Sequence, residues 1–156
     1  MTIDVPTAEP QEPGVAQAGA SPDPRPVIVL LVLAAIGEAS YWGTFFGTDA
    51  MVYPSVPCFR TFDLSFPAAN LWTTLTALVG AAGLWRRSST GVLSGILCGS
   101  SLVYLGLVDV AFNVGNAMYR QPNAAIYGEM FVNLTSFTLA PYVIWWLWKH
   151  RASLGA

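Results

Sequence analysis

The chain has 156 residues, of which 54% are hydrophobic, 13% aromatic and only 10% charged, and nine acids against seven bases give a formal net charge of −2. Soluble domains carry about 25% charged residues, so an ordinary soluble enzyme is excluded, and seven bases leave too little basic surface for a nucleic-acid partner. The remaining class is a small integral membrane protein whose first partner is the lipid bilayer.

Residues 1–26 differ from the rest. They hold Asp4, Glu9, Glu12 and Asp23 against Arg25 alone, together with Pro6, Pro10, Pro13, Pro22, Pro24 and Pro26. Such a segment has almost no large apolar side chain with which to offset its ordering entropy, so it reads as a disordered, Pro-rich acidic tail. A docking motif within it is the alternative. It lacks the basic start of a secretory signal, so the apolar run that follows is expected to be retained.

Apolar runs follow at about 27–47, 68–85, 92–114 and 130–148. Each approaches the ~20 residues that a helix needs to cross a hydrocarbon core. Helices satisfy their own backbone amides in lipid, and no alternation of the barrel kind is visible. The expected fold is therefore all-α: a four-transmembrane-helix bundle over 27–150 behind the tail. Arg25, Arg86, Arg87, Lys149 and Arg151 then fall on one side, and Arg60 and Arg120 on the other. The positive-inside rule puts both termini in the cytoplasm of a multi-pass cell-membrane protein. Trp145, Trp146 and Trp148 before Lys149 fit an interfacial aromatic belt. The loop 48–67 faces outward. Its Val52, Tyr53, Val56, Phe59, Phe62, Leu64 and Phe66 suit either a lid over the bundle or a plain interfacial connector.

Cys58 in that loop and Cys98 in the inner half of the third span lie at depths that no disulfide bridges. No CxxC motif occurs, His150 belongs to the basic cytoplasmic end, and no metal-ligand spacing is present. No cofactor is implied. The Asn133-Leu134-Thr135 sequon lies within a span and is discounted. Pro141 is expected to kink the fourth span and free the Phe137 carbonyl, chiefly for packing.

Ionisable residues within a bilayer are costly, which makes each a candidate for function. Glu38, Asp109 and Glu129 qualify. Asp109, Asn113 and Asn116 stand at i, i+4 and i+7 on one helix face, and Glu129, Asn133 and Ser136 repeat the spacing. Gly91, Gly95 and Gly99 form a ladder that lets helices approach closely. At ~1.5 Å per residue, Glu38 lies near mid-membrane and Asp109 in the outer third, with Glu129 near the interface. Tyr41, Trp42, Asn70 and Thr74 complete one outward-opening polar and aromatic pocket. Interhelical glue is the competing account of Asn113, Asn133 and Thr74.

The stretch from Phe62 to Pro67, the helix entry Asn70-Leu71-Trp72, and the run from Gly106 to Asn113 with Met118-Tyr119 resemble an uncharacterised family of small four-helix bacterial integral membrane proteins. The resemblance covers about residues 27–150 and implies the four-helix membrane architecture but no activity. Asn70 stands where that pattern carries Asp, so no proton-linked role is implied there.

Four functions fit these residues. The first is a protein that binds a small or lipophilic ligand in the pocket. The second is a membrane-embedded acid–base enzyme, an isomerase or cyclase, acting on an apolar substrate with Glu38 and Asp109 as catalytic carboxyls. The third is a proton- or cation-coupled transporter working as a homo-oligomer. The last is an assembly subunit for another membrane protein.

Overall fold

The computed structural model describes residues 22–48, 56, 58–120 and 123–154. Most of the expected tail, and Asp49, Val52, Tyr53 and the Gln121-Pro122 turn, lie outside the described residues. Within them every regular element is helical: α1 (Arg25–Gly47), α2 (Phe59–Asp63), α3 (Pro67–Trp85), α4 (Ser89–Gly115), a 3₁₀ turn (Met118–Arg120) and α5 (Ala124–Leu154). Three stretches are long and apolar enough to cross a membrane: Arg25–Gly47, Ser89–Gly115 and Ile126–Leu154.

The boundaries depart from those read off hydropathy, and each departure has a local cause. α1 begins at Arg25, inside the expected tail, with Pro26 in its first turn. A proline there loses no hydrogen bond, because first-turn amides have no helical partner. α5 starts at Ala124 instead of about 130. The Asn123 side chain accepts a hydrogen bond from the Ile126 amide at 3.0 Å, which is N-cap geometry. The helix also continues past 148 to Leu154 and takes Pro141 into its interior.

α3 is not among these three stretches, and it carries Asn70, Thr73, Thr74 and Thr76. Its buried positions 70, 73, 77, 80 and 84 follow helical spacing and form one face. Each threonine hydroxyl caps a carbonyl of its own helix, and the Thr73 hydroxyl also meets that of Ser101 on α4 at 2.6 Å. The polar content is thus satisfied inside the bundle.

The helices pack in the order α1, α3, α4, α5, and among the described residues α1 and α5 make no extended contact. The result is an open arc with α3 and α4 at its centre. The glycine ladder of α4 serves both neighbours. A Cβ on Gly91 would sit 2.2 Å from Leu84 N and 2.4 Å from Gly83 C on α3. One on Gly95 or Gly99 would run into Leu147 or Ile144 of α5. Val27, Leu31, Ala77, Leu84, Val92, Cys98, Val143, Leu147 and Leu154 close the inner half as a continuous apolar core. Val29, Ile36, Leu75, Val79, Leu93, Leu107 and Leu134 project outward, an exposed apolar girdle suited to lipid. At the inner end Lys149 lies over the Trp145 ring and Arg151 over that of Trp148.

The described part of the 48–67 loop, Val56 and residues 58–66, packs on one end of the bundle. Phe59 is 2% exposed and packs with Val56, Met118 and Ile126, while Phe62 stacks on Phe112 of α4 at 3.8 Å between ring centroids. α2 thus covers this end of the bundle, a position compatible with the lid reading of its apolar sequence. Cys58 is exposed and Cys98 buried, and both are free thiols.

Candidate functional site

The concave side of the arc encloses a cavity of about 450 Å³. α1 contributes Glu38, Tyr41 and Trp42, which share a face because they stand at i, i+3 and i+4. Asn70 comes from the first turn of α3, Asp109 from α4, and Glu129 and Asn133 from α5. Seven of the ten pocket residues inferred from sequence thus meet at one space. Three do not line it. Asn113 is fully buried just behind Asp109. Thr74 lines a smaller hollow of about 260 Å³ between α1 and α3, whose wall also includes Glu38, Trp42 and Asn70. Asn116 leaves the face altogether: α4 ends at Gly115, and the Asn116 side chain donates to the Phe112 carbonyl as a cap.

The cavity is graded. Its outer end is polar and aromatic, with Phe62, Asp63 and Phe66 of the lid region above Tyr41, Asp109, Glu129 and Asn133. Its inner end is formed by Leu30, Leu31, Cys98, Gly99, Leu102, Ala140 and Val143. Asp109 and Cys98 lie eleven residues apart on α4, so the hollow runs ~16 Å along the helix. Gly106 makes this wall possible, since a Cβ there would meet the Ser136 Cβ at 3.1 Å.

At the outer end Asp109 is the hub. Its Oδ2 accepts hydrogen bonds from Asn113 Nδ2 at 3.0 Å and from Asn133 Nδ2 at 2.5 Å. The same two amides also donate to the Tyr119 hydroxyl, at 3.4 and 3.2 Å. The Glu129 carboxyl neighbours that of Asp109, brought there by an α5 that begins more than a turn earlier than hydropathy suggests.

Two participants were missed by sequence reasoning. Asp63 is 7% exposed, and its Oδ2 accepts a hydrogen bond from the Tyr41 hydroxyl at 2.6 Å, which ties lid to α1. Burial pushes the Asp63 carboxyl up to about 6; the donated Tyr41 hydrogen bond works against that rise, and nearby Asp109 adds to it. Tyr119 was noted only as part of a motif, and its hydroxyl links the two asparagines. The sequence does mark Asp63, since an acid set among Phe59, Phe62 and Phe66 is an anomaly.

Among the described residues three buried polar atoms have no hydrogen-bond partner: Trp42 Nε1, Asn113 Oδ1 and Asn133 Oδ1. Both asparagines must present their NH₂ groups to Asp109, so their oxygens are turned away from it. Orphaned polar groups of this kind are rare in folded proteins and mark a missing partner. Among the described residues no group of three or more His, Cys, Asp or Glu is arranged to hold a metal ion. Chemically, the site offers hydrogen-bond acceptors, ring faces and a pair of neighbouring carboxyls. Comparison with known proteins found no matching family model, no matching curated protein and no matching solved structure.

Proposed function

We propose that this chain is a four-span cell-membrane protein, with both termini cytoplasmic, that binds a small lipophilic ligand in the outward polar and aromatic cavity. The fourth span in this reading is α3. It has 19 residues, or ~28 Å of helix. Gly83 faces Gly91 near its inner end, and Thr73 meets Ser101 nearer its outer end, so α3 and α4 run side by side through the same thickness.

The observation that carries ligand binding is the cavity itself with Asn133 in its wall. A space of about 450 Å³ is within the range of small-molecule sites, ~300–1,000 Å³. Asn133 is 5% exposed, yet its Oδ1 lacks a donor. Purified protein titrated with an organic extract of cell membranes should give a saturable change in Trp42 fluorescence. A Glu38→Gln, Asp109→Asn double variant should lose that response, and wild-type affinity in the variant would sink the assignment.

A second reading, an acid–base enzyme of the isomerase or cyclase kind working through Glu38 and Asp109, has one observation in its favour. The Asp109 and Glu129 carboxyls stand side by side in the cavity wall, the kind of pair that acid–base chemistry uses. Conversion of an apolar substrate, abolished by Asp109→Asn, is its expected signature.

A further inference from the structure

The lining of the cavity is one-sided in charge and in hydrogen bonding. Glu38, Asp63, Asp109 and Glu129 all reach it, and among the described residues no lysine, arginine or histidine does. Against the single orphan donor of Trp42 stand these four carboxyls and the orphan oxygen of Asn133. Asn133 is more than nine-tenths buried, and its unpaired atom is an acceptor.

The walls point the same way. Tyr41, Trp42, Phe62 and Phe66 bring four aromatic side chains to the outer end, and ring faces attract cations most strongly where water is excluded. An acidic, aromatic wall in a medium of low dielectric favours a cation and opposes an anion. Toward Cys98 the lining among the described residues is mostly apolar, with Leu30, Leu31, Leu102, Ala140 and Val143 and only Glu38 standing near the thiol, so the rest of the ligand is mainly hydrocarbon.

Access follows from the arc. Leu33 of α1 and Phe131, Val132 and Leu139 of α5 line the cavity and are exposed at 57%, 67%, 53% and 43%. The mouth is thus framed by apolar side chains between two helices that do not close on each other, on the face that meets lipid.

We infer that the cavity takes a lipophilic amine, which enters sideways from the bilayer between α1 and α5, seats its ammonium group against Asp109, Glu129 and Asn133, and lays its hydrocarbon toward Val143. This inference rests on the ligand-binding reading and names the class of ligand for that same site. A phospholipid is a poorer fit, since its phosphate would bring an anion to the acidic wall.

The test uses the full chain in nanodiscs at neutral pH with three probes of equal chain length: dodecylamine, dodecanol and dodecanoate. Binding is read as Trp42 fluorescence, with empty nanodiscs subtracting simple partitioning. The amine should bind at least about tenfold more tightly than the alcohol, the increment expected for a desolvated cation–π and ion-pair contact. Dodecanoate should bind more weakly than either. An Asp109→Asn, Glu129→Gln double variant should lose the amine's advantage over the alcohol, with an unfolding midpoint close to that of the wild type showing that the variant is folded. Equal affinity for amine and alcohol, or an amine advantage that survives in the variant, overturns the amine assignment and leaves the binding reading standing. Failure of all three probes overturns both. Leu33→Trp, which narrows the mouth without touching the acids, should slow amine association at least several-fold; an unchanged rate overturns lateral entry.

Discussion

Single side chains decide whether the lid stays seated. The Tyr41 hydroxyl donates to Asp63 at 2.6 Å, and Asp63 is 7% exposed. Tyr41→Phe removes the donor and leaves a buried carboxyl unsatisfied, a loss of about 1–3 kcal/mol in favour of the open lid. Hydrogen exchange of the α2 amides, corrected for intrinsic rates, should report that loss. The same carboxyl makes the lid sensitive to pH. Its value rises from the ordinary 3.8 to about 6 when the lid is closed, mainly through burial. Between those values the closed lid binds more protons than the open one, so raising the pH through this window weakens closure. Protection of α2 should accordingly be greatest near the lower value, fall toward pH 6 and level off above it. Asp63→Asn should flatten the profile, and an unchanged profile in that variant would assign the effect to another group. At this scale the sequence shows a contact when both partners share a helix. Asp109 and Asn113 are four residues apart, and their hydrogen bond is implied by that spacing. The Tyr41–Asp63 bond, by contrast, depends on how the chain returns over the bundle, which no local pattern encodes.

Between elements, close approach is set by the glycines of α4. Gly91 packs on the α3 backbone itself, and backbone atoms at 2.2 and 2.4 Å from a new Cβ cannot rotate away. Gly91→Ala should therefore force α3 and α4 apart and destabilise the protein by about 1–3 kcal/mol or more. Gly43 in α1 has nothing within 4 Å of a new Cβ. Gly43→Ala should be neutral or stabilising by up to about 1 kcal/mol, because alanine is the better helix former. Thermal unfolding in detergent separates the two, and equal effects would refute the packing account of the ladder. The ladder was legible because its four-residue spacing is a one-dimensional signal for a three-dimensional contact. Element ends were less legible. Hydropathy begins α5 at about 130 because Tyr127, Gly128 and Glu129 interrupt the apolar run, whereas the chain begins it at Asn123, whose side chain caps it. That shift moves Glu129 from the rim to the Asp109 carboxyl. At the other end of the same site, the i+7 reading of Asn116 fails because α4 stops one residue before it.

For the molecule as a whole, the open question of arrangement is whether α3 crosses, and its answer fixes the side on which the chain ends. Three stretches meet the apolar requirement for crossing, and α3 does not. A helix shielded by neighbours has less need of apolar side chains than one facing lipid, however. α3 buries Asn70, Thr73 and Thr76 against its neighbours, and the hydroxyls of both threonines are hydrogen-bonded within the bundle. Hydropathy therefore understates its fitness to span. With α3 crossing, Cys58 lies outside and Lys149, His150 and Arg151 lie inside, in keeping with the majority of bases. With α3 excluded, the chain turns once fewer and its C-terminus emerges opposite its N-terminus. The two native thiols provide the probe, since Cys58 is exposed and Cys98 buried. A membrane-impermeant maleimide added to intact cells should label wild-type protein but not Cys58→Ser. A fluorescent protein fused after Ala156 should mature in the cytoplasm. External labelling combined with an external C-terminus would remove α3 from the spans. It would also place Arg86, Arg87, Lys149 and Arg151 together on the outer side, against the positive-inside rule, where the clustering of Lys149 and Arg151 against Trp145 and Trp148 would no longer mark a cytoplasmic surface.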